Sequence, residues 1–136
     1  MNQKIITVVI ALGVSVSTCA ASNTRWTLIR EDKVDATFAD YSTAKRIAQR
    51  VKIWTLTNNK TVVDDGDGKP VGSDMAQQEY DCEQRQVRTT YRLAYAGPLG
   101  TGTVLRSFTP SNIGWRPIVP GSVGESMMVT VCSTVR

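Results

Sequence analysis

Three cysteines, Cys19, Cys82 and Cys132, and the complete absence of histidine bound the chemistry open to this chain of 136 residues. Without an imidazole there is no Ser-His or Cys-His nucleophilic pair and no histidine metal ligand. A paired-carboxylate mechanism needs two acids facing each other in a cleft, whereas the acidic residues here gather in polar turns. No catalysis is expected. What remains is thiol chemistry, and whether thiols pair depends on the compartment.

The compartment is read from the first residues. Lys4 supplies a positive start, Ile5 to Val16 an apolar run, and Ser17-Thr18-Cys19-Ala20-Ala21 a zone of small residues, the pattern of a secretory leader. The apolar run is too short to cross a bilayer as a helix. Cleavage after Ala21 gives a signal peptide of residues 1–21 and one domain of residues 22–136. Alternatively, Val16-Ser17-Thr18-Cys19 resembles a lipobox, which gives a lipoprotein signal of residues 1–18 and makes Cys19 the lipidation candidate. Both routes lead to an exported protein, in the periplasm or at the outer membrane and cell surface. Both also remove Cys19 from the folding thiols and leave Cys82 and Cys132. Their pairing closes a loop of roughly 50 residues, which chain entropy values at about 4 kcal/mol; the alternative is two free buried thiols.

The cysteines must be positioned by the elements around them. After Pro117, Pro120 and Gly121, the spacing of Ser122 and Glu125 reads as a capping box. A short helix from Ser122 to Ser133 is expected, with Val123, Met127 and Val131 on one side and Met128 and Cys132 beside them. Upstream, Trp26–Arg30 has strand composition, and Val34, Ala36 and Phe38 alternate with Asp35, Thr37 and Ala39. The hydroxyls and carboxylate of Asp40 to Arg46 suit a single helical turn. Val51 to Thr57 is apolar on both faces, which predicts a central strand. Val87 to Tyr95 alternates as a long strand with a basic outer face of Arg88 and Arg92. A change of face near Glu83 to Gln86 is needed to connect it to Tyr80 and Cys82, and Thr103 to Phe108 closes the sheet. The fold class is therefore α+β, mainly antiparallel sheet with a short C-terminal helix.

Two loops resemble ligand motifs and fail them. Asp64 to Ser73 reads as a polar mobile loop whose aspartates do not follow calcium-loop spacing, because Lys69 and Ala76 fall where acids are required. The Gly97 to Gly102 segment lacks the Gly-Lys-Ser/Thr end of a phosphate loop. No metal and no cofactor are expected. Lys and Arg number 16 against 12 Asp and Glu; with Lys4 set aside the net charge is +3, mildly basic. Arg85, Arg88 and Arg92 form the candidate binding face, suited to anionic glycans or an acidic protein patch. Nucleic acid is not an expected partner, and membrane contact is expected only through a lipid anchor.

Glu79-Tyr80-Asp81-Cys82, the Tyr95-x-Gly97-Pro98-x-Gly100-Thr101-Gly102 turn, and Trp115-Arg116-Pro117-Ile118-x-Pro120-Gly121-Ser122-x-x-Glu125 ahead of Cys132 together resemble the surface-adhesin protein E family of Gram-negative bacteria. Tyr41-Ser42-Thr43 and Lys52-Ile53-Trp54-Thr55-Leu56 fit the same pattern. The resemblance implies an antiparallel sheet with its C-terminal helix tethered through Cys82 and Cys132. It also implies a cell-surface lipoprotein that contacts host extracellular-matrix or serum proteins. The other expected partners are an envelope protein and a second copy of the chain as a homodimer. The alternative is a periplasmic or outer-membrane accessory protein with no host ligand, since the motif residues also read as a cap, a staple, glycine turns and core aromatics.

Overall fold

Val51 and Ile53 on one side of their strand, and Leu56 on the other, leave neither side free for water, so this strand must lie inside the sheet. The computed structural model describes residues 25–136; the expected leader and Cys19 lie outside the described residues. The strands are β1 (Thr27–Glu31), β2 (Asp35–Ile47), β3 (Arg50–Asp64), β4 (Pro70–Asp81), β5 (Gln86–Tyr95), β6 (Val104–Phe108) and β7 (Arg116–Pro117). Helix α1 (Val123–Thr134) ends the order. The sheet is antiparallel throughout and runs β1-β2-β3-β4-β5-β6, with β7 also on β5.

Helix α1 covers one face of the sheet, the helix face. Met127, Met128 and Val131, joined by Ile118, pack on Ala39, Val51, Ile53 and Tyr80. The β-branched Val129-Thr130-Val131 run does not break the helix, because burial of Val131 and Met127 outweighs a propensity cost of a few tenths of a kcal/mol. Ser122 is the N-cap and accepts from the Glu125 amide at 3.2 Å. The Glu125 carboxylate takes the Gly121 amide at 2.7 Å, one residue earlier than a standard capping box. At the other end Arg46 of β2 donates to the carbonyls of Cys132 and Val135 at 2.7 and 2.6 Å. A cation at a helix C-terminus satisfies open carbonyls and opposes the dipole. Arg46→Ala is expected to cost about 1–2 kcal/mol and to speed amide exchange in the last helical turn; unchanged exchange there would refute the cap.

The disulfide joins Cys82 to Cys132, with Cα atoms 5.9 Å apart. It ties the end of α1 to the tight turn between β4 and β5. That turn is built by Asp81, whose carboxylate accepts from the Glu83 and Gln84 amides, and it pairs Tyr80 with Val87 on one face.

Three expectations are corrected. Asp40 to Arg46 is not a helical turn but part of β2. Its capping chemistry is present, since the Asp40 carboxylate accepts from the Ser42 amide and hydroxyl, and Thr43 Oγ1 donates to the Asp40 carbonyl at 2.7 Å. These bonds hold a wide bulge, in which Tyr41 to Ala44 face Ile53 alone. The loop expected over Asp64 to Ser73 shrinks, because Asp64 pairs with Pro70 and Val63 with Val71. Within it Asp64 and Asp65 accept backbone amides of Gly66, Asp67, Gly68 and Lys69. Finally, β2 does not divide into one apolar and one polar face, because Ala36, Thr37 and Ala39 are all buried.

Opposite the helix face, one end of the sheet is closed by the Gly97 to Gly102 loop, which lies on Leu56 and Met75. Ser73 donates to the Gly97 carbonyl at 2.7 Å and accepts from the Gly100 amide at 2.9 Å, while Asn58 accepts from the Leu99 amide. Gly72 passes so close that a Cβ there would stand 2.6 Å from the backbone of Ala96 and Gly97. Gly72→Ala is expected to lower stability by about 1–3 kcal/mol, read as a lower urea midpoint; an unshifted midpoint would mean that the loop is not held.

Candidate binding face

The rest of this second face is open, and it carries the charged and aromatic side chains. Cross-strand pairing aligns Lys45, Lys52, Glu79 and Arg88 in one row over β2 to β5. Neighbours in a row share a face. Arg50 and Asp81 pair one step along, and Trp54 and Gln77 one step the other way. Arg88 holds Glu79 through Nε at 2.7 Å and Nη2 at 2.6 Å, and Arg50 reaches Asp81 at 3.5 Å.

Trp115, just before β7, lies under both guanidiniums, 5.0 Å from that of Arg50 and 4.6 Å from that of Arg88. Each such contact contributes about 0.5–1 kcal/mol at an exposed site. Trp54 and Tyr91 meet edge to face at 6.1 Å. Lys45 and Lys52 have no ion-pair partner among the described residues. The open face therefore carries more cations than anions, and its aromatic rings are held in fixed orientations.

Behind the row, Asp40 is fully buried at the root of the β2 bulge. Burial pushes its carboxyl up, but the Arg25 guanidinium and the Ser42 hydroxyl and amide outweigh that and hold it below the ordinary value. The bulge opens a groove of about 430 Å³ lined by Thr43, Lys45, Lys52, Ile53, Trp54 and Gln77.

The residues expected to form one basic face are not together. Between Gln77 and Gln78 the register of β5 shifts by one residue, because Thr90 is extra in the ladder. A single bulged residue reverses the facing of all that follows. Arg88 thus lies on the open face with Glu79, and Arg92 on the helix face, where it pairs with Asp74 at 3.2 Å. There it lines a separate groove with Thr55, Gln78 and Arg116. Arg85 is in the β4-β5 turn and is ion-paired with Glu125 of α1. The face observed is instead built by Arg50, Lys52 and Trp54, spaced by two along β3, together with Arg88 and Trp115. That period of two is visible in the sequence and marks a shared side of a strand.

Such a molecule belongs to the class of small, disulfide-stapled antiparallel sheets that dock one helix on one face and leave the other, here basic and aromatic, open. Residues 26–133 match the sequence profile of the family described as Surface-adhesin protein E, and the chain belongs to that family. Its fold is similar to crystal form II of Haemophilus influenzae protein E, with 11% identity, a TM-score of 0.61, and 89% of this chain and 97% of that one covered. The selenomethionine form of that protein gives 10% identity and a TM-score of 0.60, covering 82% and 88%. Protein E from non-typeable Haemophilus influenzae gives 11% identity and 0.58, covering 88% and 83%. No curated protein sequence is similar enough to this chain to count as a match. Membership supports a surface-adhesin-like, non-catalytic module that acts outside the cytoplasm. Among the described residues no helix is long and apolar enough to cross a membrane.

Proposed function

We propose that the chain is an exported cell-envelope module whose open face docks on an acidic patch of a host extracellular-matrix or serum protein. The observation that carries this is the Arg50-Trp115-Arg88 stack beside Trp54 and Tyr91, since Arg and aromatic side chains on a rigid surface are the usual anchors of protein interfaces. Export proceeds through the leader, and acylation at Cys19 or cleavage after Ala21 decides whether the module is membrane-anchored or released. Mass spectrometry of the native N-terminus reads which.

The test is capture of the processed protein on immobilised matrix and serum proteins. Arg50→Glu with Arg88→Glu is expected to reduce capture at least about tenfold, while Arg92→Glu, on the opposite face, leaves it unchanged. Loss through Arg92→Glu alone would move the site to the helix face. Capture by none of these proteins would favour the accessory role without a host ligand.

A further inference from the structure

We propose that the groove between Lys45, Lys52 and Trp54 binds a sulfated glycan chain. The idea rests on the open face being a contact surface, but it concerns the β2-β3 end of that face and needs no protein partner.

Lys45 and Lys52 are directly opposite each other in the β2-β3 ladder. Like charges in that position repel and destabilise the pair of strands. Neither lysine forms an ion pair with the acids nearby: Glu79, opposite Lys52 in the β3-β4 ladder, is held through one carboxylate oxygen by Arg88, and Asp40 is buried against Arg25. Two cations thus stand side by side without an ion pair of their own. A ligand with anionic groups repeated along a chain supplies it, and removes a repulsion that exists only in the free protein.

The groove beside them is built rather than incidental. Four residues of β2 pass over Ile53, and the gap is kept open by the Asp40 bonds to Ser42 and by Thr43 Oγ1, which accepts from the Trp54 amide at 3.1 Å. The lining combines Trp54 with Gln77 and with Thr43, whose hydroxyl is engaged by Asp40 and the Trp54 amide. An aromatic ring flanked by neutral polar groups suits the apolar face and hydroxyls of a sugar ring. The two ammonium groups, point charges on flexible stems, suit sulfates carried on neighbouring sugars. The groove's volume of about 430 Å³ lies in the range of small-ligand clefts.

The experiment is calorimetric titration of the whole processed protein with a heparin hexasaccharide, its desulfated counterpart and a hexaglutamate peptide. Binding to the sulfated sugar alone is expected, and it weakens as salt rises. Lys45→Ala with Lys52→Ala is expected to lower that affinity at least about tenfold and to raise the melting temperature of the free protein. Arg92→Glu, on the helix face, leaves binding to the sugar unchanged. Equal affinity in the double lysine variant, equal binding of the desulfated sugar or of hexaglutamate, or a lower melting temperature in that variant would each overturn the proposal. None of these outcomes depends on capture of a host protein.

Discussion

With Cys82→Ala and Cys132→Ala together, unfolding stability is expected to fall by about 4 kcal/mol, less any strain relieved. For a domain of this size that corresponds to a drop in melting temperature on the order of 15 °C. The physical reason lies in both states. The crosslink spans 50 residues, so it removes much of the conformational freedom of the unfolded chain. In the folded state it holds a helix that could not stand alone, since a twelve-residue helix is marginal in water. Met127, Met128 and Val131 still prefer burial without the crosslink, so the variant is expected to fold. Amides of α1 then open more readily than those of β3 and β4. Identical thermal midpoints with and without reductant for the wild-type protein would sink this account.

Asp40→Ala is the second large effect, about 2–3 kcal/mol of destabilisation. Removing the carboxylate strands the Ser42 amide and hydroxyl, which are its partners inside the bulge. The loss of the ion pair itself is the smaller part, because Arg25 is more than half exposed and can turn to water. Arg25→Ala should therefore cost much less than Asp40→Ala. If the two costs are equal, the bulge is held by charge rather than by hydrogen bonds.

The same carboxyl makes an acid prediction. Its pKa in the folded protein lies below the ordinary value, so its stabilisation is complete above the unfolded carboxyl's pKa of about 3.9. That contribution is lost as pH falls through the lowered value. Asp32 and Asp65, held down by backbone amides, and Glu125, held down by the Gly121 amide, act in the same direction. The melting temperature is thus expected to be flat from neutral pH to about 5 and to fall below about 4, with a shallower fall in Asp40→Ala. A melting curve that rises on acidification would contradict the sign.

The spacing of Ser122 and Glu125 after Pro120 and Gly121 was enough to locate the helix, because the cap is a contact between residues three apart. Cys82 and Cys132 were legible as a pair because a domain read as exported has few ways to dispose of two thiols. The apolar residues on both sides of Val51 to Leu56 marked a central strand. Each of these follows from local spacing or from composition.

The rest depended on partners distant in sequence. Asp40 to Ala44 has the residues of a cap, and only the facing strand, whose Trp54 amide needed an acceptor and found Thr43, turned it into a bulge. The extra residue at Thr90 is invisible in an unbroken alternation from Val87 to Tyr95, yet it sends Arg88 and Arg92 to opposite faces. Alternation fixes which residues share a side only while the hydrogen-bond ladder is regular, and a ladder belongs to two strands at once. The order of residues in this chain therefore determined the C-terminal helix, several strands and the crosslink, whereas the pairing of strands made Pro70–Asp81 a strand and decided which charges and rings came together on the exposed face.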